Sequence, residues 1–156
     1  MYQLIRTVLS EPAELDATKL RLLYANRSEE DIILRRELDA LAAEHPDRFE
    51  VQYVLENLPE DDTRGASQFI HGRISQSIIA TSLPSPKEPR AAILVCGPEG
   101  MMESLCGTTS RRTTNGASPV LGGILYQMGY RRQVVAQINI EGSGYERKPT
   151  LIVKSE

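Results

Sequence analysis

The sequence predicts an α/β protein built on a doubly wound parallel sheet, and three observations predict it. Ala91-Ala92-Ile93-Leu94-Val95 is apolar without alternation, the mark of a strand covered on both faces. Runs of strand character alternate with helix-period runs through most of the chain, as in a series of βαβ units. The central run then closes on Cys96-Gly97-Pro98, a glycine turn that opens a helix. Pro98 suits the first helical position, because the N–H it lacks would have found no partner there. Such a turn leaves backbone N–H groups at the carboxyl edge of the sheet, where open α/β sheets bind nucleotides.

Taken in order, residues 1–9 carry Leu4, Ile5, Val8 and Leu9 on one stripe and form an amphipathic helix that lacks an N-cap. Residues 11–17, with Pro12, are a loop, and Leu20, Leu22, Leu23 and Tyr24 make a buried strand over 19–25. Ser28 with Asp31 approximates a capping box, and Glu29 and Glu30 suit a positive helix start. That helix is expected to run to His45 with Leu34, Leu38, Leu41 and Ala42 facing inward, and Pro46 stops it. Phe49, Val51, Tyr53 and Leu55 define a second strand over 48–55, followed by a polar loop over 56–68. Phe69 and Ile70 lead into a short helix at 74–81, and Pro84, Pro86 and Pro89 stiffen the connection to the central strand. A helix over 99–105 comes next, then a loop over 107–117. Ser118 caps the following helix, Pro119 opens it and Gly129 ends it, with Leu121, Ile124, Leu125 and Met128 inside. Residues 133–138 are the last regular strand, and 150–154 form a further short one; no internal repeat occurs.

Composition excludes several functions. A chain of 156 residues is enough for one domain with a real core. Its net charge of −3 offers no broad cationic surface, so no nucleic-acid partner is expected. No apolar run approaches the roughly 20 residues that span a bilayer, and residues 1–9 are too short for a signal peptide and contain Arg6. Cys96 and Cys106 lie at opposite ends of one helix and build no disulfide framework, which fits a reducing compartment. His45 and His71 have no spaced ligand partners, so no metal site and no Ser-His-Asp set is expected.

Three segments carry a resemblance. Leu22-Leu23-Tyr24-Ala25-Asn26-Arg27-Ser28-Glu29-Glu30-Asp31-Ile32 resembles the segment after the second strand in NADH–cytochrome b5 reductases and the wider ferredoxin–NADP reductase-like group. Tyr53-Val54-Leu55-Glu56 resembles their adenosine-ribose strand. Cys96-Gly97-Pro98-Glu99-Gly100-Met101 resembles their Cys-Gly-Pro-x-x-Met signature at the nicotinamide, and Gly129-Tyr130 before a final strand also fits. The resemblance implies a Rossmann-like NAD(H)-binding domain over residues 1–138, with 139–156 as a C-terminal extension. It implies NADH as cofactor, hydride passed to FAD on a preceding barrel domain, and electrons delivered to cytochrome b5 or a similar haem protein. It also implies a place on the cytoplasmic side, since full-length relatives are often tethered to the endoplasmic reticulum or the outer mitochondrial membrane.

The resemblance assigns roles residue by residue. Cys96 would lie beside the nicotinamide, where it helps place the ring for hydride transfer, and is the catalytic candidate; the alternative is a small buried hydrophobe. Gly97, Pro98, Glu99 and Met101 come with it, the glycine for close approach and the methionine for packing against the nucleotide; simple turn chemistry is their alternative. Glu56 would accept hydrogen bonds from the adenosine ribose and repel a 2′-phosphate, which favours NADH, whereas Arg27 could pair with that phosphate. Both could equally be solvated loop charges. Asn26 could hold a loop or touch the ribose, and Phe69 could stack near the adenine or belong to the core.

Two departures shape the expectation. The family's Gly-rich phosphate turn, ending Thr-Pro-Met after its first strand, would fall just before Tyr2, so that only Met1 of it is left. The flavin barrel's Arg-x-Tyr-Ser/Thr motif does not occur; Gly72-Arg73-Ile74-Ser75 mimics a flavin-phosphate motif but follows the ribose segment and is read as a decoy. The expectation is therefore a lobe truncated at its N-terminus, without the strand that holds the middle of the family's 3-2-1-4-5 sheet. Near Ile138 the family ends with an aromatic residue, whereas this chain continues. The apolar run Leu151-Ile152-Val153 has no family counterpart and has two places open to it, the vacant middle of the sheet or an edge. A second function also stays open, that of a non-catalytic nucleotide-binding or interaction domain.

Overall fold

Leu20, Leu22 and Tyr24 alternate with Leu23, which dictates a strand that buries both faces. The computed structural model, which describes residues 1–59, 69–88, 91–107, 122–130, 135–137 and 150–155, shows that strand as β1 (Lys19–Asn26). On one face, Leu20, Leu22 and Tyr24 pack with Ile5 and Leu9 of α1 (Tyr2–Ser10) and Leu38 of α2 (Arg35–Glu44). Phe49, Tyr53 and Leu55 of β2 (Phe49–Leu55) join the same cluster. On the other face, Leu23 and Val54 pack with Ile93 and Val95 of β4 (Ala92–Cys96), where β3 is Phe69–His71. Ile79 of α3 (Gln76–Ser82), Leu105 of α4 (Glu99–Cys106) and Leu125 of α5 (Gly123–Gln127) cover that face. Helices on both faces make the sheet doubly wound, as the alternation of elements predicts.

With β5 (Val135–Gln137) and β6 (Thr150–Ser155), the strand order is β3-β2-β1-β6-β4-β5. The pairs β1·β2, β2·β3 and β4·β5 are parallel. β6 runs antiparallel to both neighbours, with Ile152 opposite Leu22 on one side and Leu94 on the other. The apolar segment near the C-terminus therefore takes the middle of the sheet and joins two parallel blocks. It begins at Thr150, opposite Tyr24 and Cys96, so it starts at the edge where the parallel strands finish.

Several expectations need correction. The Ser28–Asp31 capping box exists, but it closes one 3₁₀ turn (Glu29–Asp31) rather than a helix running to His45. The chain then bends to bury Ile32, and Leu34 takes a left-handed backbone (φ 58) from which α2 starts afresh. Leu34 consequently does not face inward; it is 39% exposed. Phe69 and Ile70 do not lead straight into a helix but form β3, because they pair in register with Tyr53 and Val54. α3 starts only at Gln76, behind Ser75, whose hydroxyl accepts from the Ile78 N–H. Pro98 stands one place earlier than expected, at the N-cap, since its ψ of 154 is extended. The expected helix start at Ser118 and Pro119 lies outside the described residues; among the described ones α5 begins at Gly123. Two glycines allow α4 and α5 to meet: a Cβ on Gly107 (φ 85) would stand 2.6 Å from the Gly122 backbone, and one on Gly123 (φ 66) 2.5 Å from the Ser104 carbonyl.

Candidate functional site

Parallel strands deliver their ends to one lip. β1 ends in Asn26 and passes to Arg27, β2 passes to Glu56, β3 to Gly72 and Arg73, and β4 to Gly97 and Pro98. The ladder continues a residue or two past the strands: Glu56 N–H donates to the Asn26 carbonyl (3.2 Å) and Asn57 N–H to the Arg27 carbonyl (2.8 Å). Gly72 N–H donates to the Leu55 carbonyl at 2.7 Å, which holds the start of the next connection to the same lip. Between these ends lies a cleft of about 660 Å³. One wall is Ala25, Asn26, Arg27, Asp31 and Glu56; Gly72, Arg73 and Ile74 form the rim, and Pro98, Gly100, Met101, Ser104 and Leu105 line the α4 side. The first turn of α4 borders the cleft, so its unpaired N–H groups stand at its edge.

Asn26 is the unusual member. It is only 6% exposed, and among the described residues neither its Nδ2 nor its Oδ1 has a hydrogen-bond partner. Buried polar groups are almost always bonded, so an orphaned carboxamide in a cleft wall is a place for a water or a ligand atom. Glu56 is engaged differently: Arg73 Nε donates to its Oε1 (2.9 Å) and Arg73 Nη2 to its Oε2 (3.1 Å). The carboxylate holds the Arg73 guanidinium charged to still higher pH than usual. Asp31 takes hydrogen bonds from the backbone N–H and hydroxyl of Ser28, which fixes the turn beside the cleft.

That turn is anchored from behind. Arg35 bridges Glu29 and Asp39 and stacks over the rings of Tyr53 (5.8 Å) and Phe69 (5.1 Å). The Tyr53 hydroxyl donates to Asp39 Oδ1 at 2.7 Å, and its pKa is driven far up by burial and by that carboxylate. Phe69 is thus part of the core on the α2 face, packed against Tyr53 under Arg35, and does not line the cleft.

Of the other expected site residues, Asn26, Arg27, Glu56, Pro98 and Met101 are brought together in the lining. Cys96 and Gly97 are buried directly behind Pro98 and do not line it, and Glu99 is exposed at the start of α4, also outside the lining. Arg73, Gly72 and Ile74 were given no binding role from sequence, yet all three line the cleft. The signal for them was β3: once Phe69–His71 is a strand beside β2, the residues just after it must share the lip with Glu56. Among the described residues no group of three or more His, Cys, Asp or Glu side chains could hold a metal, and no helix is long and apolar enough to cross a membrane.

An open α/β sheet with a cleft across its carboxyl edge is the architecture that binds nucleotides and similar ligands. The family model for the oxidoreductase NAD-binding domain matches residues 1–107, and the chain belongs to that family. Among curated relatives, NADH-cytochrome b5 reductase 2 of Aspergillus niger is 41% identical over 135 residues, which are 86% of this chain and 39% of the relative. The protein of the same name from Botryotinia fuckeliana is 38% identical over 135 residues, covering 86% of this chain and 36% of the relative. The cytochrome b5 reductase domain of Ulva prolifera nitrate reductase, a crystal structure, superposes with a TM-score of 0.67 at 31% identity, covering 88% of this chain and 44% of that one. The chain therefore spans about two fifths of the length of the curated relatives it matches.

Proposed function

We propose that the cleft binds NADH and that this chain is the NADH-binding lobe of a flavin-dependent reductase. The orphaned carboxamide of Asn26, buried in the wall between the ends of β1, β2 and β4, is the observation that carries the reading. The family and the names of its relatives support it. When bound, NADH supplies a hydride; FAD on a separate barrel domain is the proposed acceptor, and cytochrome b5 or a similar haem protein the proposed destination of the electrons.

The residues divide the work. Asn26 can donate and accept at once, and Glu56 offers two acceptor oxygens, which together suit a vicinal ribose diol. Arg27 stands at the same end with a charge for phosphate. The turn Cys96-Gly97-Pro98 with Glu99 and Met101 is assigned to the nicotinamide end, where Cys96 backs the turn, Met101 packs on the ligand and the α4 start faces negative charge. Phe69 acts through the core, by holding Tyr53 and Arg35 behind the cleft. A place on the cytoplasmic side, at the endoplasmic reticulum or the outer mitochondrial membrane, belongs to the same proposal and rests on the resemblance alone.

The test is a titration of the chain with NADH followed by nucleotide fluorescence. Saturable binding that falls about tenfold or more in Glu56→Gln is expected. The second reading, a non-catalytic nucleotide-binding or interaction domain, draws on the Arg73–Glu56 pair, which already engages the acceptor oxygens proposed for the ribose. Absence of any saturable binding by a chain shown to be folded in a thermal melt would overturn the first reading.

A further inference from the structure

β6 is the one antiparallel strand among the described residues, and it sits between two blocks that pair without it, β3-β2-β1 and β4-β5. It comes from far along the chain: Ile152 faces Leu22, 130 residues earlier, and Leu94, 58 residues earlier. Contacts so distant in sequence form late, because the long loop must be closed before they can form. Until β6 arrives, β1 at Leu20–Tyr24 and β4 at Ala92–Cys96 face an open slot with unpaired N–H and C=O groups, ready to pair with another strand. The connection to β6 is also longer than its own path needs. Gln137 pairs with Val95 and Thr150 with Cys96, so both ends lie at the carboxyl edge with β4 between them, roughly 10 Å apart. The twelve residues 138–149 can span up to about 40 Å, the diameter of a domain of this size. That length reaches the slot of a second copy whose carboxyl edge faces the first.

We propose that the slot between β1 and β4 is a self-association surface: β6 of one copy seats in the slot of a second, which returns its own, closing a two-fold dimer. The exchange repeats between chains every pairing made within one, from Lys19 with Ser155 to Tyr24 with Thr150. It needs no new contact, which is why identical elements swap at low cost. The choice is made during folding. Within one copy the connection holds β6 near its slot at an effective concentration on the order of 1 mM, so exchange requires chains at a similar concentration. Once β6 is seated, removing it breaks the ladder on both sides, and single and paired chains stay apart. The inference stands apart from the dinucleotide reading, because it uses the backbone of the sheet and not the cleft.

The test places single cysteines at the end of the ladder away from the cleft. Lys19 is exposed and pairs with Ser155, whereas Cys96 and Cys106 are buried and Cys96 lies opposite Thr150 at the other end. Lys19→Cys and Ser155→Cys chains are refolded from urea together at about 1 mM or about 1 µM, or refolded apart and then mixed, before a short thiol cross-linker is added. Linked dimers of one chain of each kind should take up about a tenth of the chains or more at the high concentration, and about tenfold fewer in the other two samples. A double variant carrying both cysteines, refolded at about 1 µM, should link within single chains. Joint refolding at the high concentration without linked dimers, while the double variant links within itself, overturns the exchange. Equal yields in the sample mixed after refolding overturn it as well, since they report collisions between surfaces. A double variant that does not link within one chain takes β6 out of the slot and the proposal with it.

Discussion

A carboxamide held away from water with neither Nδ2 nor Oδ1 bonded costs about 1–3 kcal/mol, and Asn26 carries that cost at the tip of β1. If the site exists to meet a ligand, stability and binding should move in opposite directions on substitution. Asn26→Leu keeps the size and removes the orphaned atoms. It should leave stability unchanged or raise it by up to about 1 kcal/mol, while NADH binding weakens about tenfold or more. A marked loss of stability with unchanged binding would show Asn26 to be a structural residue. Its place at the lip was legible, because a polar residue that ends an apolar strand run can only stand at the sheet's edge. Its lack of partners was not, since that depends on where the side chains of other elements come to lie. The role of Phe69 was equally beyond the sequence: an aromatic beside a strand packs inward or outward according to its neighbours, and Arg35 and Tyr53 decide it here.

Elements fared according to their length and to the number of contacts that settle them. β1 and β4 were readable because their apolar runs are covered on both faces, and β2 because Phe49, Val51, Tyr53 and Leu55 alternate with Glu50, Gln52 and Val54. β3 was not, because three residues show no period and only their pairing with Tyr53, Val54 and Leu55 makes them a strand. The misread helix start has the same origin: Ser28 and Asp31 form the expected box, but burial of Ile32 breaks the helix after one turn. For β6 the apolar run announced a strand, while its place in the middle is a property of the gap between β1 and β4. That placement is testable. Removing residues 145–156 would strip the ladder from the facing edges of both β1 and β4, at Leu20–Tyr24 and Ala92–Cys96. Loss of about 3 kcal/mol or more, roughly 10 °C in Tm, is expected from the backbone hydrogen bonds alone. A melting temperature that does not move would take β6 out of the sheet.

At the scale of the molecule, the two faces of the sheet are each locked by a buried phenol. Tyr53 and Tyr24 lie in the cluster beneath α1 and α2, and Tyr130 lies in the cluster beneath α3, α4 and α5. Tyr130 ties the chain ahead of β4 by donating to the Pro84 carbonyl at 2.7 Å, as Tyr53 ties β2 to α2 through Asp39. Burial raises the pKa of all three, and for Tyr53 the Asp39 carboxylate adds to it. Each phenol is thus harder to ionise folded than unfolded, so the folded chain binds more protons than the unfolded one once the pH passes the ordinary tyrosine value of about 10. The stabilisation is complete below that pH and is lost as the pH rises through it toward the raised folded values. Stability should hold level across neutral pH and fall steeply above about pH 10, with tyrosinate absorbance rising together with the loss of helical circular dichroism. Tyr53→Phe removes one of the three ionising groups and should soften the alkaline fall, at a cost of about 1 kcal/mol near neutrality for the lost hydrogen bond to Asp39. Urea midpoints measured below and above pH 10 decide the matter: equal midpoints for the unsubstituted chain would mean that these phenols ionise without opening either layer.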